Sequence, residues 1–189
     1  MVKAGIFLMA RLWPALAGTP EWFGIVATVG PATMLIGGAI ALFQDDLKGL
    51  LAYSTVSHLG LITMLLGFGT KAAATAAMFH IIAHASFKAA LFMGAGIIDH
   101  AAHTRSIRRL GGLRTLMPLT FGLVLIASLS MAGIPPFNGF LSKEMMLEQA
   151  GRADVLFGAV ATLASVFSVA YSLRLVAHVF LGPVRSDYP

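Results

Sequence analysis

The stretch His80-Ile81-Ile82-Ala83-His84-Ala85-Ser86-Phe87-Lys88 sets two imidazoles and an amine four residues apart in a run that is otherwise apolar. On an α-helix that spacing places all three groups on one stripe, with about 6 Å of rise between neighbours. Histidine changes charge near neutral pH and can take a proton on one ring nitrogen while releasing one from the other. A lysine amine can likewise release and regain a proton. The stripe therefore reads as a ladder of proton-exchanging groups. Several ionisable residues on one face of a membrane-length apolar helix mark a proton or ion path by default. The competing reading is a buried polar patch that only bonds to neighbouring helices.

Two histidines at i and i+4 can also share a metal. A metalloprotease, however, needs a glutamate directly after the first histidine, where this chain has Ile81, and no third ligand lies nearby in sequence. The chain has no cysteine, which removes disulfides, thiolate metal sites and sulfur-ligated clusters. No cofactor and no metal are expected, and a transporter is favoured over a stand-alone enzyme.

The elements that would hold the ladder follow from composition. Of 189 residues, 58% are hydrophobic and only 11% charged, against about 25% charged in soluble domains; mean hydropathy is +0.85. The expected fold is an all-α, polytopic transmembrane helix bundle with about five full spans plus a partial N-terminal helix. The formal charge of +5 is spread among apolar spans and forms no basic face, which argues against a nucleic-acid partner.

Residues 1–13 are too few for a span of about 20 residues, so the chain is expected to begin part-way through a helix, as a truncated sequence would. Trp13 and Trp22 flank a turn-rich connection and read as interfacial anchors. Spans are expected over 23–43, 48–68, 72–98 and 155–181. The second of these carries a polar band of Tyr53, Ser54, Thr55, Ser57 and His58. The hydroxyls read as packing contacts, whereas His58 is open between a structural and a relay role. Asp45 and Asp46 precede the same helix and read equally as caps or as functional carboxylates.

Arg105, Arg108, Arg109 and Arg114 crowd one loop, which points it to the cytoplasm. Simple alternation adds Lys48 and Arg185 to that side and leaves Arg11, Lys71 and Arg152 on the other. Arg174 and His178 are expected to snorkel to the cytoplasmic interface.

One span is expected to break at Pro135-Pro136, because a proline lacks the N–H that helix continuation needs. From Leu116 to Gln149 a continuous helix would measure about 51 Å, against a hydrocarbon core of about 30 Å. Either the chain leaves the membrane near the prolines and Lys143 lies on the surface, or the helix is interrupted at membrane depth with Lys143 near the break. The sequence leans to the first. In a proton path Lys3, His58, His80, His84, Lys88 and Lys143 would be the stations, with Glu144 tuning its neighbours.

Several motifs together carry a resemblance: Asp46-Leu47-Lys48, Ala52-Tyr53-Ser54-Thr55-Val56-Ser57, the His80 to Lys88 ladder, Gly111-Gly112-Leu113, and Pro135-Pro136-Phe137-Asn138-Gly139-Phe140-Leu141-Ser142-Lys143-Glu144. The chain resembles the antiporter-like membrane subunits shared by respiratory complex I, membrane-bound hydrogenases and Mrp-type multisubunit cation/proton antiporters. Ser130 to Phe140 and Asp99-His100 with Thr104-Arg105 are most similar to the large A subunits of the Mrp group. The resemblance implies that Lys3 belongs to a connecting helix, that His80, His84 and Lys88 form a central relay, and that Lys143 is the lysine of the broken helix. It also implies that Asp46 and Lys48 are a charged pair at a helix junction.

By the same likeness, residues 1–21 would be the end of the connecting helix and its loop, 22–181 the second five-helix half-channel repeat, and 182–189 a cytoplasmic tail. The implied setting is a bacterial inner membrane, multi-pass, among other membrane subunits, with protons and Na+ as cargo. A proton-pumping quinone oxidoreductase subunit, or a fragment with only a structural role, is the alternative.

Overall fold

The computed structural model of the chain describes residues 3–184, and its long helices start where a short oxygen-bearing side chain can cap them. Thr19 accepts from the Trp22 N–H, Asp46 from Gly49, Thr70 from Ala73 and Asp154 from Leu156. In chain order the helices are α1 (Ala4–Leu16), α2 (Pro20–Phe43), α3 (Leu47–Gly67), α4 (Lys71–Ala102), the single turn α5 (Leu113–Leu116), α6 (Pro118–Ala132), α7 (Asn138–Ala153) and α8 (Val155–Phe180). The expected all-α membrane bundle is what forms. Helices α2, α3, α4 and α8 are each long and apolar enough to cross a membrane, and α1 and α6 are shorter apolar helices. The segment α6, Pro135-Pro136 and α7 occupies the place of the expected broken span. Of the tail expected over 182–189, Arg185 and all that follows lie outside the described residues.

α2 and α3 form an antiparallel hairpin whose backbones approach closely because glycines face the contact. A Cβ on Gly30 would lie 2.5 Å from the Met64 nitrogen, and one on Gly60 would lie 2.6 Å from the Met34 nitrogen. Small residues are the usual means of such approach between membrane helices. The consequence is that α3 is held rigidly against α2 along its length.

The end of α6 is a left-handed glycine cap. Gly133 has φ 83° and donates to Leu129 and Ser130 carbonyls, and the Ile134 N–H also bonds Leu129 O at 3.1 Å. That pattern satisfies the carbonyls of Leu129 and Ser130 and leaves those of Met131 and Ala132 without a backbone donor, since Pro135 and Pro136 have none. Two buried acceptors are therefore released at the break.

At the end of the bundle that carries the arginine-rich loop, Asp46 and Ser106 pair their backbones and Leu47 N–H bonds Arg105 O at 2.9 Å. Arg174 extends to this same end of the bundle. It donates to the carbonyls of Leu42 and Gln44 and to Asp45 at 2.8 Å. The last carbonyls of α2 lack helical donors and carry the negative end of its dipole, so they hold the half-buried guanidinium together with the Asp45 carboxylate.

Apolar packing divides into two clusters. One holds Leu47, Leu50, Leu91, Ile98, Leu175 and Phe180; the other holds Met34, Ile62, Leu65, Ala76, Met146 and Ala164. On α3, α4 and α8 buried polar residues mark the change from one cluster to the other. His58 lies between Leu51 and Leu61, His80 between Ala77 and Ala83, and Ser168 between Ala164 and Tyr171. The fold thus places a polar layer across its middle.

Candidate functional site

The polar layer is assembled from four helices. α3 supplies Ser54 and His58, α4 supplies His80, His84 and Lys88, α7 supplies Ser142 and Lys143, and α8 supplies Ser168 and Tyr171, all of them buried. Burial without partners would cost each polar group about 1–3 kcal/mol, so the partners decide whether the layer is tolerable.

The imidazoles of His58 and His80 lie edge to edge, their planes 18° apart and ring centroids 5.1 Å apart, with His58 Nδ1 2.9 Å from His80 Nε2. The other nitrogen of His58 lies 3.2 Å from the Tyr171 hydroxyl, and the other nitrogen of His80 lies 3.0 Å from Ser142 Oγ. A continuous line of hydrogen bonds therefore crosses from α8 through α3 and α4 to α7. His84 is packed against His58 and Phe87, with centroids at 5.3 and 5.5 Å, and neither of its buried ring nitrogens has a protein partner. Two open nitrogens beside this line are suited to water.

The two buried lysines share one design. Lys88 Nζ donates to Leu51 O at 3.2 Å and to the Ser54 hydroxyl. Lys143 Nζ donates to Ala132 O at 3.0 Å and to Ser168 Oγ at 2.8 Å, while Ser168 donates to Met131 O at 3.1 Å. The two carbonyls released at the end of α6 are thus the ones that receive Lys143 and Ser168. Each amine rests on a carbonyl and a hydroxyl, with no carboxylate bonded to it among the described residues. An ammonium held this way can lose its proton without leaving a stranded counter-charge. A cavity of about 10 Å³, bounded in part by Ser57, His58, Lys143, Ser168 and Tyr171, gives about the room of one water between the Lys143 and His58 branches.

Lys143 is buried beside the break, not on the surface toward which the sequence leaned, because the freed carbonyls attract the amine and Gly133 leaves space for its stem. A Cβ there would meet Lys143 Cδ at 2.7 Å. Lys3 is half-buried and reaches Ile81 O at 3.3 Å, on the same turn of α4 as His80. Asp46 and Lys48 are not paired with each other. Asp46 caps α3 and meets Arg105 at 3.3 Å, whereas Lys48 meets Asp99 at 2.6 Å. Glu144 is exposed, apart from the buried line. Among the described residues no three His, Asp or Glu side chains converge in a way that could hold a metal.

Residues 1–168 match the family described as NADH:quinone oxidoreductase/Mrp antiporter, TM. The chain belongs to this family. Among curated relatives, the A/B subunit of a probable K+/H+ antiporter of Rhizobium meliloti is 56% identical over all of this chain, and the A subunit of a Na+/H+ antiporter of Alkalihalophilus pseudofirmus is 48% identical over 99% of it. The chain spans 20% of the first and 26% of the second. The solved Mrp complex from Dietzia sp. DQ12-45-1b contains a chain that superposes with a TM-score of 0.89 at 44% identity, over 93% of this chain and 20% of that one. The protein is thus a polytopic membrane member of the antiporter family, similar over its whole length to one part of much longer subunits.

The lysines and histidines of the layer were evident from the sequence, whereas Tyr171, Ser168 and Ser142 were passed over. A signal was present: Ser165, Ser168, Tyr171 and Ser172 recur at three- and four-residue intervals in an otherwise apolar span, which sets them on one face of α8.

Proposed function

We propose that this chain is the proton-carrying segment of a cation/proton antiporter subunit, with protons handed along Lys3, His80, His84, Lys88 and Lys143 and with His58 as a member of the line. The observation that carries the reading is the buried pair of lysines with no carboxylate among their bonds, of which Lys143 shares a water-sized cavity with His58. A purely structural layer gains nothing from amines that carbonyls and hydroxyls alone must hold. Asp46 and Lys48 anchor the charged end of the bundle, and Glu144 lies outside the path.

Residues 22–181 act as one half-channel repeat and 1–21 as the end of a helix that connects to it. The setting is the bacterial inner membrane, multi-pass, with the arginine-rich loop in the cytoplasm. The partners are other membrane subunits, and the exchanged cation is Na+ or K+, the ions in the names of the two relatives. The family description also covers quinone oxidoreductases, so proton pumping in such a complex is the second reading.

Lys143→Ala in the assembled complex tests the proposal, read as cation-driven proton movement in everted membrane vesicles. Abolished exchange with normal assembly is expected; exchange at the wild-type rate would sink the reading.

A further inference from the structure

The hydrogen-bond line through His58 and His80 ends in a hydroxyl on each side, and counting its protons gives it a direction. A neutral imidazole has one donor and one acceptor, and Ser and Tyr hydroxyls have one proton each. Ser142 Oγ lies 3.1 Å from Gly139 O, which can only accept. If Ser142 donates there, it must accept from His80 Nδ1–H. His80 Nε2 is then bare and accepts from His58 Nδ1–H, and His58 Nε2 is bare and accepts from the Tyr171 O–H. Every donor is used, and both imidazoles carry their proton on Nδ1.

The opposite direction is nearly as complete. If Ser142 turns its proton to His80 Nδ1, His80 carries its proton on Nε2 and donates to His58 Nδ1. His58 then donates from Nε2 to Tyr171, whose own O–H turns into the water-sized cavity that Ser168 also lines. Gly139 O keeps the helical N–H four residues on, so nothing is orphaned. Two satisfied states therefore differ only in the rotation of two hydroxyls and the tautomers of two rings. In the first, Ser142 is a dead end, because a backbone carbonyl cannot take a proton onward.

We infer that Ser142 and Tyr171 are positioning residues that set the tautomers of His58 and His80, the Ser142 hydroxyl selecting which nitrogen of His80 carries the proton. Resting on the proton-carrying reading above, this names what controls that path. Ser142 is also the residue before Lys143, on the first turns of α7 after the break. The same turn of α7 therefore carries both the lysine's contacts and the hydroxyl that bonds the histidine pair. The titratable groups that face His58 and His80 are Lys3 from α1, His84 and Lys88 from α4, Lys143 from α7 and Tyr171 from α8.

The test compares Ser142→Ala, Ser142→Thr and Tyr171→Phe in the assembled complex at one fixed pH, with vesicle exchange rates and ring tautomers read by solid-state NMR on isotope-labelled histidine. Ser142→Ala and Tyr171→Phe are expected to slow exchange about tenfold each, the effect of one lost hydrogen bond, and to change the tautomer signals. Ser142→Thr, which keeps the hydroxyl, should restore both. A packing role predicts the reverse order, since Ser142 is fully buried, where Thr adds a methyl and Ala only removes the hydroxyl. Wild-type rates and unchanged tautomers in Ser142→Ala would overturn the inference. Should Ser142→Thr not assemble, Tyr171→Phe decides on the same two readouts. Failure of Lys143→Ala to stop exchange in the same vesicles would count against the proposed function, whereas a dead Lys143→Ala beside normal Ser142→Ala and Tyr171→Phe would overturn this inference alone.

Discussion

Lys143 Nζ lies 3.0 Å from the carbonyl oxygen of Ala132, the last residue of α6. The amine thus occupies the place of a backbone donor that the following prolines cannot supply. The helix break and the buried lysine are one device, since the break makes the acceptors and the lysine uses them.

Gly133 is the hinge of that device. Gly133→Ala should lower stability by about 1–2 kcal/mol from the left-handed backbone alone, with a further loss from the clash at Lys143 Cδ. Gly96, whose Cβ position is open, serves as the control, and Gly96→Ala should be neutral or slightly stabilising. Thermal unfolding of the purified complex reads both. Equal midpoints for the two variants would contradict the assignment.

Arg174 fastens three acceptors at the end of α2. Arg174→Ala should cost about 1.5–3 kcal/mol, the range for a charged hydrogen-bonded group. Arg174→Lys should recover only part, because a point-like ammonium cannot span the Leu42 and Gln44 carbonyls and Asp45 as a planar fork does. Urea or thermal midpoints would show the order wild type, Lys, Ala.

Asp46 separates its two roles by substitution. Asp46→Asn keeps an oxygen for the Gly49 N–H and loses only the exposed pair with Arg105, so it should lie within about 1 kcal/mol of wild type. Asp46→Ala removes the cap as well and should cost about 1 kcal/mol more. If exchange activity rather than stability falls in Asp46→Asn, the carboxylate has a transport role that its bonds do not suggest.

The membrane bundle, its span limits and the proline break were legible because hydrophobic runs, capping residues and missing proline donors act locally. The i, i+4, i+8 ladder was legible for the same reason. The depth of Lys143 was not, because it depends on carbonyls at the end of another helix. Nor could sequence foresee the surroundings of His58, whose partner Tyr171 lies more than a hundred residues away along the chain. The family resemblance implied that Asp46 and Lys48 are a charged pair. Yet residues two apart on a helix do not face each other, and each found its partner on the α4 end or the loop after it.

The central claim is that the buried layer carries protons and does more than bind helices together. His80→Gln tests it most directly, because an amide can still offer a donor and an acceptor to His58 and Ser142 but cannot exchange protons at these pH values. Proton and cation fluxes would be followed in proteoliposomes that hold the assembled complex. Normal assembly with exchange reduced about a hundredfold or more is the predicted result; exchange within a factor of about two of wild type, well under the 1.4 kcal/mol that marks a tenfold change, would contradict it.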